Sequence, residues 1–214
     1  RRGDASLAGR VIDRYVDIIT LREPDSEKEL KRFGVSRPEL HLAADPSMIL
    51  PSAPEAATIE AMRSLGMDPD GKYICFCVRR WPGYEERAAM FAKAADMAWE
   101  KYGLTPVFLS INHDRDGEAA ALAVEQMTAP CHLLREPLGT ALTIGMFSRM
   151  QAVISIRLHG LIFASGQGVP IFGVAYDPKV NSFLDYIGED NYCSFRDLTA
   201  QKLIEKGVRP KSFK

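Results

Sequence analysis

From Tyr73 onward, short apolar runs alternate with helix-patterned segments, and this alternation restricts the chain to very few folds. The spacing predicts strands over 73–78, 106–111, 132–135, 152–156 and 171–175. Helices are predicted over 85–101, 117–127, 138–150 and 160–165, with a further one opening at Pro178 and a last one over 198–206. Strand and helix in regular succession indicate a parallel, doubly wound α/β sheet of Rossmann type. The first fifty residues read helix (5–15), strand (16–21), helix (23–33) and strand (39–44), ended by Asp45-Pro46. Glu23 to Glu29 is rich in helix-start signals, including a Ser26/Glu29 capping-box pair. Between the two parts, residues 53–70 carry Pro, Ala and the turn Asp68-Pro69-Asp70, and are expected to form a linker with a helical portion over 55–65. The opening Arg1-Arg2-Gly3, without an initiator Met, suggests the later part of a longer protein.

A run from Ile154 to Leu184 carries the chemistry. A strand buried on both faces ends at Ile156, and Arg157 and His159 follow where a helix should begin. Gly166, Gly168 and Pro170 stop that helix, so the Gly-x-Gly pair ends a helix and does not cradle a phosphate. A second buried strand runs into Tyr176-Asp177-Pro178-Lys179, where Asp177 suits an N-cap and Pro178 the first helical position. Ligands of open α/β sheets bind beyond the carboxyl ends of the strands, against helix N-termini. Arg157, His159 and Lys179 are therefore expected to converge on an anion. The helix dipole and neighbouring cations both favour a neutral His159 imidazole, a ring able to give or take a proton near neutral pH. Lys179 sits where the dipole disfavours a cation, which points to a role beyond structure.

Other candidates admit plainer readings. Arg22 ends a strand in the first part, while Arg79 and Arg80 are either a solvated pair or ligand contacts at the same sheet edge. Tyr176 is either core packing or a ligand wall. Asp114 and Asp116 resemble an Asp-x-Asp metal-nucleotide motif, but N-capping by Asp116 explains that acid at lower cost. His41, His113 and His132 lack convergent partners in sequence. The four cysteines, Cys75, Cys77, Cys131 and Cys193, suit neither zinc spacing nor a disulfide framework and read as structural thiols of a reducing compartment. A net charge of −1 provides no field for nucleic acid. No apolar run reaches the roughly 18 residues of a membrane span, and no signal peptide is visible.

Three segments resemble the polysaccharide pyruvyl transferase family, enzymes that place pyruvate ketals on cell-wall and exopolysaccharide sugars. LREPDS (21–26) is similar to the family's Arg-Asp-x-x-Ser segment with Glu23 in the acid position. AADPSMIL (43–50) is similar to its Asp-Pro turn, and the stretch from Ser155 to Leu184 carries its Arg-Leu-His and Tyr-Asp-Pro-Lys signatures. The resemblance implies a GT-B-like pair of Rossmann-like lobes facing across a cleft. Residues 1–52 would then be the C-terminal end of a truncated first lobe, 53–70 the linker and 71–214 the second, donor-binding lobe. It implies phosphoenolpyruvate as donor, a glycan acceptor (lipid-linked or not) and phosphate as product. No cofactor and no metal are expected, and the location implied is cytoplasmic, at the inner membrane face. Arg157 and Lys179 would anchor the phosphate, Arg22 would reach across the cleft to the donor, and His159 would handle the proton or the leaving phosphate. Arg79 and Tyr176 would complete the substrate-binding set. The competing readings are a GT-B nucleotide-sugar glycosyltransferase and a non-catalytic lobe that binds a phosphorylated ligand.

Overall fold

The apolar runs pair side by side because each can bury both of its faces. The computed structural model describes residues 2–136 and 138–208, with only the backbone for residues 2–5, 113 and 114. Strands β3 (Tyr73–Cys77), β4 (Thr105–Leu109), β5 (His132–Leu134), β6 (Met150–Ser155), β7 (Ile171–Ala175) and β8 (Tyr192–Ser194) form one sheet in the order β5-β4-β3-β6-β7-β8. Every pairing in it is parallel. Strand alternation sends Ile74, Phe76 and Val78 of β3 to one face and Tyr73, Cys75 and Cys77 to the other. The first face is covered by α4 (Ala88–Tyr102), α5 (His113–Val124) and α9 (Ala200–Gly207). The second is covered by α3 (Glu55–Ser64), α6 (Thr140–Ser148), α7 (Leu158–Gly166) and α8 (Pro178–Tyr186). The chain winds outward from β3 to β5, then returns to the middle and winds the other way from β6 to β8. The reversal falls between β3 and β6, where crevices open at the carboxyl ends of such sheets.

A second, two-stranded parallel sheet pairs β1 (Ile18–Leu21) with β2 (Glu39–Leu42), joined by α2 (Asp25–Arg32) and preceded by α1 (Arg2–Tyr15). Its apolar residues are poorly covered: Val11, Tyr15, Ile18 and Leu42 are all exposed. A single 3-10 turn at Pro46–Ile49 carries the chain onto α7, close enough that a Cβ at Gly166 would come within 2.8 Å of the Met48 carbonyl. The side chain of Asp25 accepts a hydrogen bond from Ser182 of α8, tying α2 to the larger sheet. The stretch expected as a linker forms α3 as anticipated, and its Thr58 and Met62 are buried, Met62 in the core beside Met67.

Several expectations shift. Helix α5 begins at His113 rather than at 117, because the Asp116 carboxylate reaches back to the Asn112 amide (2.8 Å) and closes the first turn. Asp116 therefore stands inside the helix and is not its N-cap. Helix α6 stops at Ser148, and Met150 already belongs to β6. Strand β8 was not expected: three half-polar residues at a sheet edge leave no periodic trace. The Ser26/Glu29 box does not form. Buried Glu23 instead accepts from the amides of Asp25 (2.9 Å) and Ser26 (3.2 Å) and from the Ser26 hydroxyl.

Candidate functional site

Two helices bring their N-termini to the carboxyl edge of β6 and β7. Helix α7 starts directly after Arg157, and its first N–H groups are left over as donors by helix geometry. It can lie this close to the sheet because residue 160 is glycine; a Cβ there would meet Ser155 Oγ at 2.5 Å and the Cys77 Cβ at 3.3 Å. Helix α8 starts as the sequence indicates, with Asp177 Oδ1 accepting from the Lys179 amide at 3.1 Å and Pro178 at the first turn.

His159, in the first turn of α7, shares a cavity of about 360 Å³ with Arg22, Asp45 and the ends of β1 and β2. Arg22 and Asp45 form an ion pair across this cavity, Nη1 to Oδ2 at 2.9 Å. Asp45 is buried, and its other oxygen accepts from the Ser47 amide (2.9 Å) and hydroxyl (2.6 Å), which fixes the Asp-Pro turn. Desolvation pushes the Asp45 carboxyl up, but the hydrogen bonds from Ser47 and Arg22 outweigh it and hold it below the ordinary value. His159 is lowered from its ordinary value. Desolvation is the largest cause, opposed by Asp45 and reinforced by the charges of Arg22, Lys179 and Arg157. The ring is open to solvent on its cavity side, so screening makes this shift a modest one. The result is a neutral imidazole among cations.

Lys179 extends over the Tyr176 ring, Nζ 5.6 Å from its centroid and 3.8 Å from Asp177 Oδ2. Arg79 donates to the Tyr176 hydroxyl and lies between two rings, 5.0 Å from Tyr176 and 5.1 Å from Trp81. Tyr176 thus packs against the apolar clusters on both faces of the sheet and also carries Arg79 and Lys179 on its ring. Arg80 instead pairs with Glu85 and Glu118 at the surface, the solvated reading.

Arg157 departs from the simple expectation of a phosphate anchor. Its Nε and Nη2, two of its three nitrogens, are taken by Asp116 in a two-pronged ion pair, with Nε 2.8 and 3.0 Å from the two oxygens. The pair is buried, 17% exposed on Arg157 and 1% on Asp116. The pair ties the residue that precedes α7 to Asp116 of α5. Asp45 is the residue that sequence reasoning missed as a member of the site; the Asp-Pro turn and Arg22 were both visible, their pairing was not.

The side chains of His113 and Asp114 lie outside the described ones. Among the described residues no group of three or more His, Cys, Asp or Glu side chains could hold a metal ion, and no helix is long and apolar enough to cross a membrane. His41 lies beside Glu39 at the surface, and His132 packs edge-on against Tyr73. The cysteines are free thiols, Cys75 and Cys77 buried, Cys131 and Cys193 half-buried. A larger cavity of about 610 Å³ lies between α1, α2 and the start of α8. Its lining is mainly hydrocarbon, from residues such as Ile12, Ile19, Leu30 and Phe33. Arg22, Asp45 and His159 meet in the smaller one, whereas Lys179 lines the larger one beside Pro178 and Ser182.

Comparison with known proteins agrees with this architecture. The family model described as polysaccharide pyruvyl transferase matches residues 1–178. No curated protein matches the chain in sequence. Among solved structures, a family 9 glycosyl transferase from Veillonella parvula is similar at a TM-score of 0.52 and 16% identity, covering 96% of this chain and 77% of that one. A UDP-GlcNAc 2-epimerase from Methanocaldococcus jannaschii, solved with UDP-GlcNAc and UDP, is similar at a TM-score of 0.60 and 10% identity, over 91% of this chain and 55% of that one. A second structure of that epimerase gives a TM-score of 0.59 at 12% identity, over 88% and 54%. The chain thus spans little more than half the length of the epimerases. At these identities the likeness is one of fold, the GT-B fold.

Proposed function

The chain belongs to the polysaccharide pyruvyl transferase family, and from that premise we propose that it moves the enolpyruvyl group of phosphoenolpyruvate onto a cell-wall or exopolysaccharide sugar as a ketal, releasing phosphate. The observation that carries this reading is the cavity in which Arg22, Asp45 and His159 meet at the N-terminus of α7. A donor with a phosphate and a carboxylate on three carbons needs several cations and oriented donors. Arg22, the α7 amides and Lys179 are the groups that would supply them.

The chemistry assigns work to a neutral imidazole. The donor methylene must gain a proton to become a methyl, which makes C2 an oxocarbenium-like electrophile. One sugar hydroxyl adds to C2 and loses its proton, phosphate leaves, and the second hydroxyl closes the ketal. Of the two hydroxyl protons, one balances the new methyl and the other leaves with phosphate. His159 is placed to take a proton from an attacking hydroxyl and return it to the methylene or the departing phosphate. Asp45 favours the transient imidazolium.

The test is thermal unfolding with phosphoenolpyruvate and, in parallel, with nucleotide-sugars, alongside phosphate release. Phosphoenolpyruvate at a hundredfold excess over its dissociation constant should stabilise the protein by about 2.7 kcal/mol. Lys179→Ala should weaken that effect, while His159→Ala should keep the fold and lower turnover by roughly 100- to 10,000-fold. Stabilisation by nucleotide-sugars alone would instead support a glycosyltransferase, and a ligand-bound protein with no turnover would support a silent binding lobe.

A further inference from the structure

A second polar cavity, about 490 Å³, opens beside the first cluster at the carboxyl ends of β7 and β8. Its walls are aromatic and basic: Trp81, Tyr176 and Phe195 with Arg87 and Arg196, and no acid lines it. Trp81 and Tyr176 rings lie 4.6 Å apart at 56°, with the Arg79 guanidinium against both. Arg87 is held over Phe195, 5.1 Å from the ring, by bonds to the Phe195 carbonyl (2.9 Å) and the Gly83 carbonyl (3.3 Å). Arg196 is exposed at the rim.

Two things in this arrangement are unusual for a purely structural corner. Arg87 and Arg196 line the cavity and Arg79 packs against its Trp81 and Tyr176 rings, with no carboxylate paired to any of the three among the described residues. In addition, Arg79 Nε, beside those rings, is buried without an acceptor among the described residues, an unmade bond that costs stability. Packed aromatic rings offer a face to the C–H side of a sugar ring, and guanidinium forks suit an oxyanion. The volume falls within the roughly 300–1,000 Å³ of small-ligand sites. The Tyr176 ring joins this cavity to the first cluster, since Lys179 approaches the same ring.

We propose that this cavity binds a sugar that carries an anionic group, a phosphate or a carboxylate, with the ring against Trp81 and the anion between Arg87 and Arg196. Assigning that sugar as the acceptor rests on the pyruvyl-transfer reading; the binding itself does not.

Trp81 supplies the readout. In a Trp99→Phe background its fluorescence is titrated with glucose 1-phosphate, glucuronate, glucose and inorganic phosphate. At least one of the two anionic sugars should bind about tenfold or more tightly than both glucose and inorganic phosphate, and the preferred one identifies the anion. Arg196→Ala, at an exposed position that leaves the core intact, should weaken it by about tenfold, the loss expected for one charge-assisted contact. The proposal is overturned if neither anionic sugar outdoes glucose and phosphate, or if Arg196→Ala leaves the affinity unchanged. Stabilisation by phosphoenolpyruvate, measured on the same Arg196→Ala protein, should be retained. If that stabilisation is missing from the parent protein while the sugar still binds, the donor reading fails and this site stands; the reverse pattern sinks the site alone.

Discussion

At the scale of single residues, the ion pair of Arg157 and Asp116 separates structural from chemical roles. The signature arginine was legible in the sequence, but its partner is 41 residues away and looked like a helix cap. No local pattern predicts such a pairing, because it depends on β6 and the β4–α5 junction lying close at the sheet edge. A buried carboxylate that loses its guanidinium is left uncompensated, which typically costs about 3–5 kcal/mol. Arg157→Ala should therefore unfold at much lower urea concentration. Replacing both partners with apolar side chains, Arg157→Met with Asp116→Leu, should recover most of the stability, since the pair itself is near neutral. Equal losses in the single and double variants would show that the pair does not carry this cost. Inactivity of Arg157→Ala would thus say little about phosphate binding, and Lys179 or Arg22 is the cleaner probe. Glu23 shows the opposite case. Its spacing to Ser26 was read as part of a donor motif, and the hydrogen bonds from Ser26 show why the acid and the serine stand three apart: they close the start of α2.

At the scale of elements, α7 is set by one glycine. Gly160 faces β3 and β6, and the 2.5 Å that an added Cβ would leave to Ser155 Oγ is too short for any real contact. Ser155 is itself buried and anchored to the Arg157 carbonyl at 2.7 Å, so it cannot turn aside freely. Gly160→Ala should cost about 1–3 kcal/mol by overpacking, reduced by about 1 kcal/mol from better helix propensity. It should also shift His159 and weaken donor binding. Adding Ser155→Ala removes the obstructing oxygen and should restore the unfolding midpoint; no recovery would mean the clash lies elsewhere. Elements of this kind were readable where their residues repeat a pattern. Buried strands β3 and β7 and the Asp177-Pro178 start of α8 emerged as expected because apolar runs and capping chemistry are local. Strand β8 and the true start of α5 were not, since one is defined only by its neighbour β7 and the other by a side chain that reaches backwards.

At the scale of the whole molecule, titration links the site to the fold. His132 and His159 are both lowered from the ordinary 6.5, in each case chiefly by desolvation. A folded state that resists protonation binds fewer protons than the unfolded chain, so stability rises with pH across that window. The contribution is complete above 6.5 and is lost as pH falls through the lowered values in the fold. Asp25 and Asp45, both held below 3.8, contribute stability that is lost as pH falls through their lowered values. Of the two histidines, His132 is the better enclosed, against Tyr73, while His159 is screened by solvent in its cavity. The drop in unfolding temperature between pH 7 and pH 5 should therefore shrink in His132→Gln and change little in His159→Gln. An anion in the cavity opposes the lowering at His159, because its charge favours the imidazolium, and binding then takes up part of a proton as pH falls. Stabilisation by phosphoenolpyruvate should accordingly be larger at pH 6 than at pH 8 in the parent protein, and this difference should vanish in His159→Gln. If the pH dependence of ligand stabilisation survives that substitution, the proton is being taken up by the ligand or another group, and His159 is not the residue that answers the donor's charge.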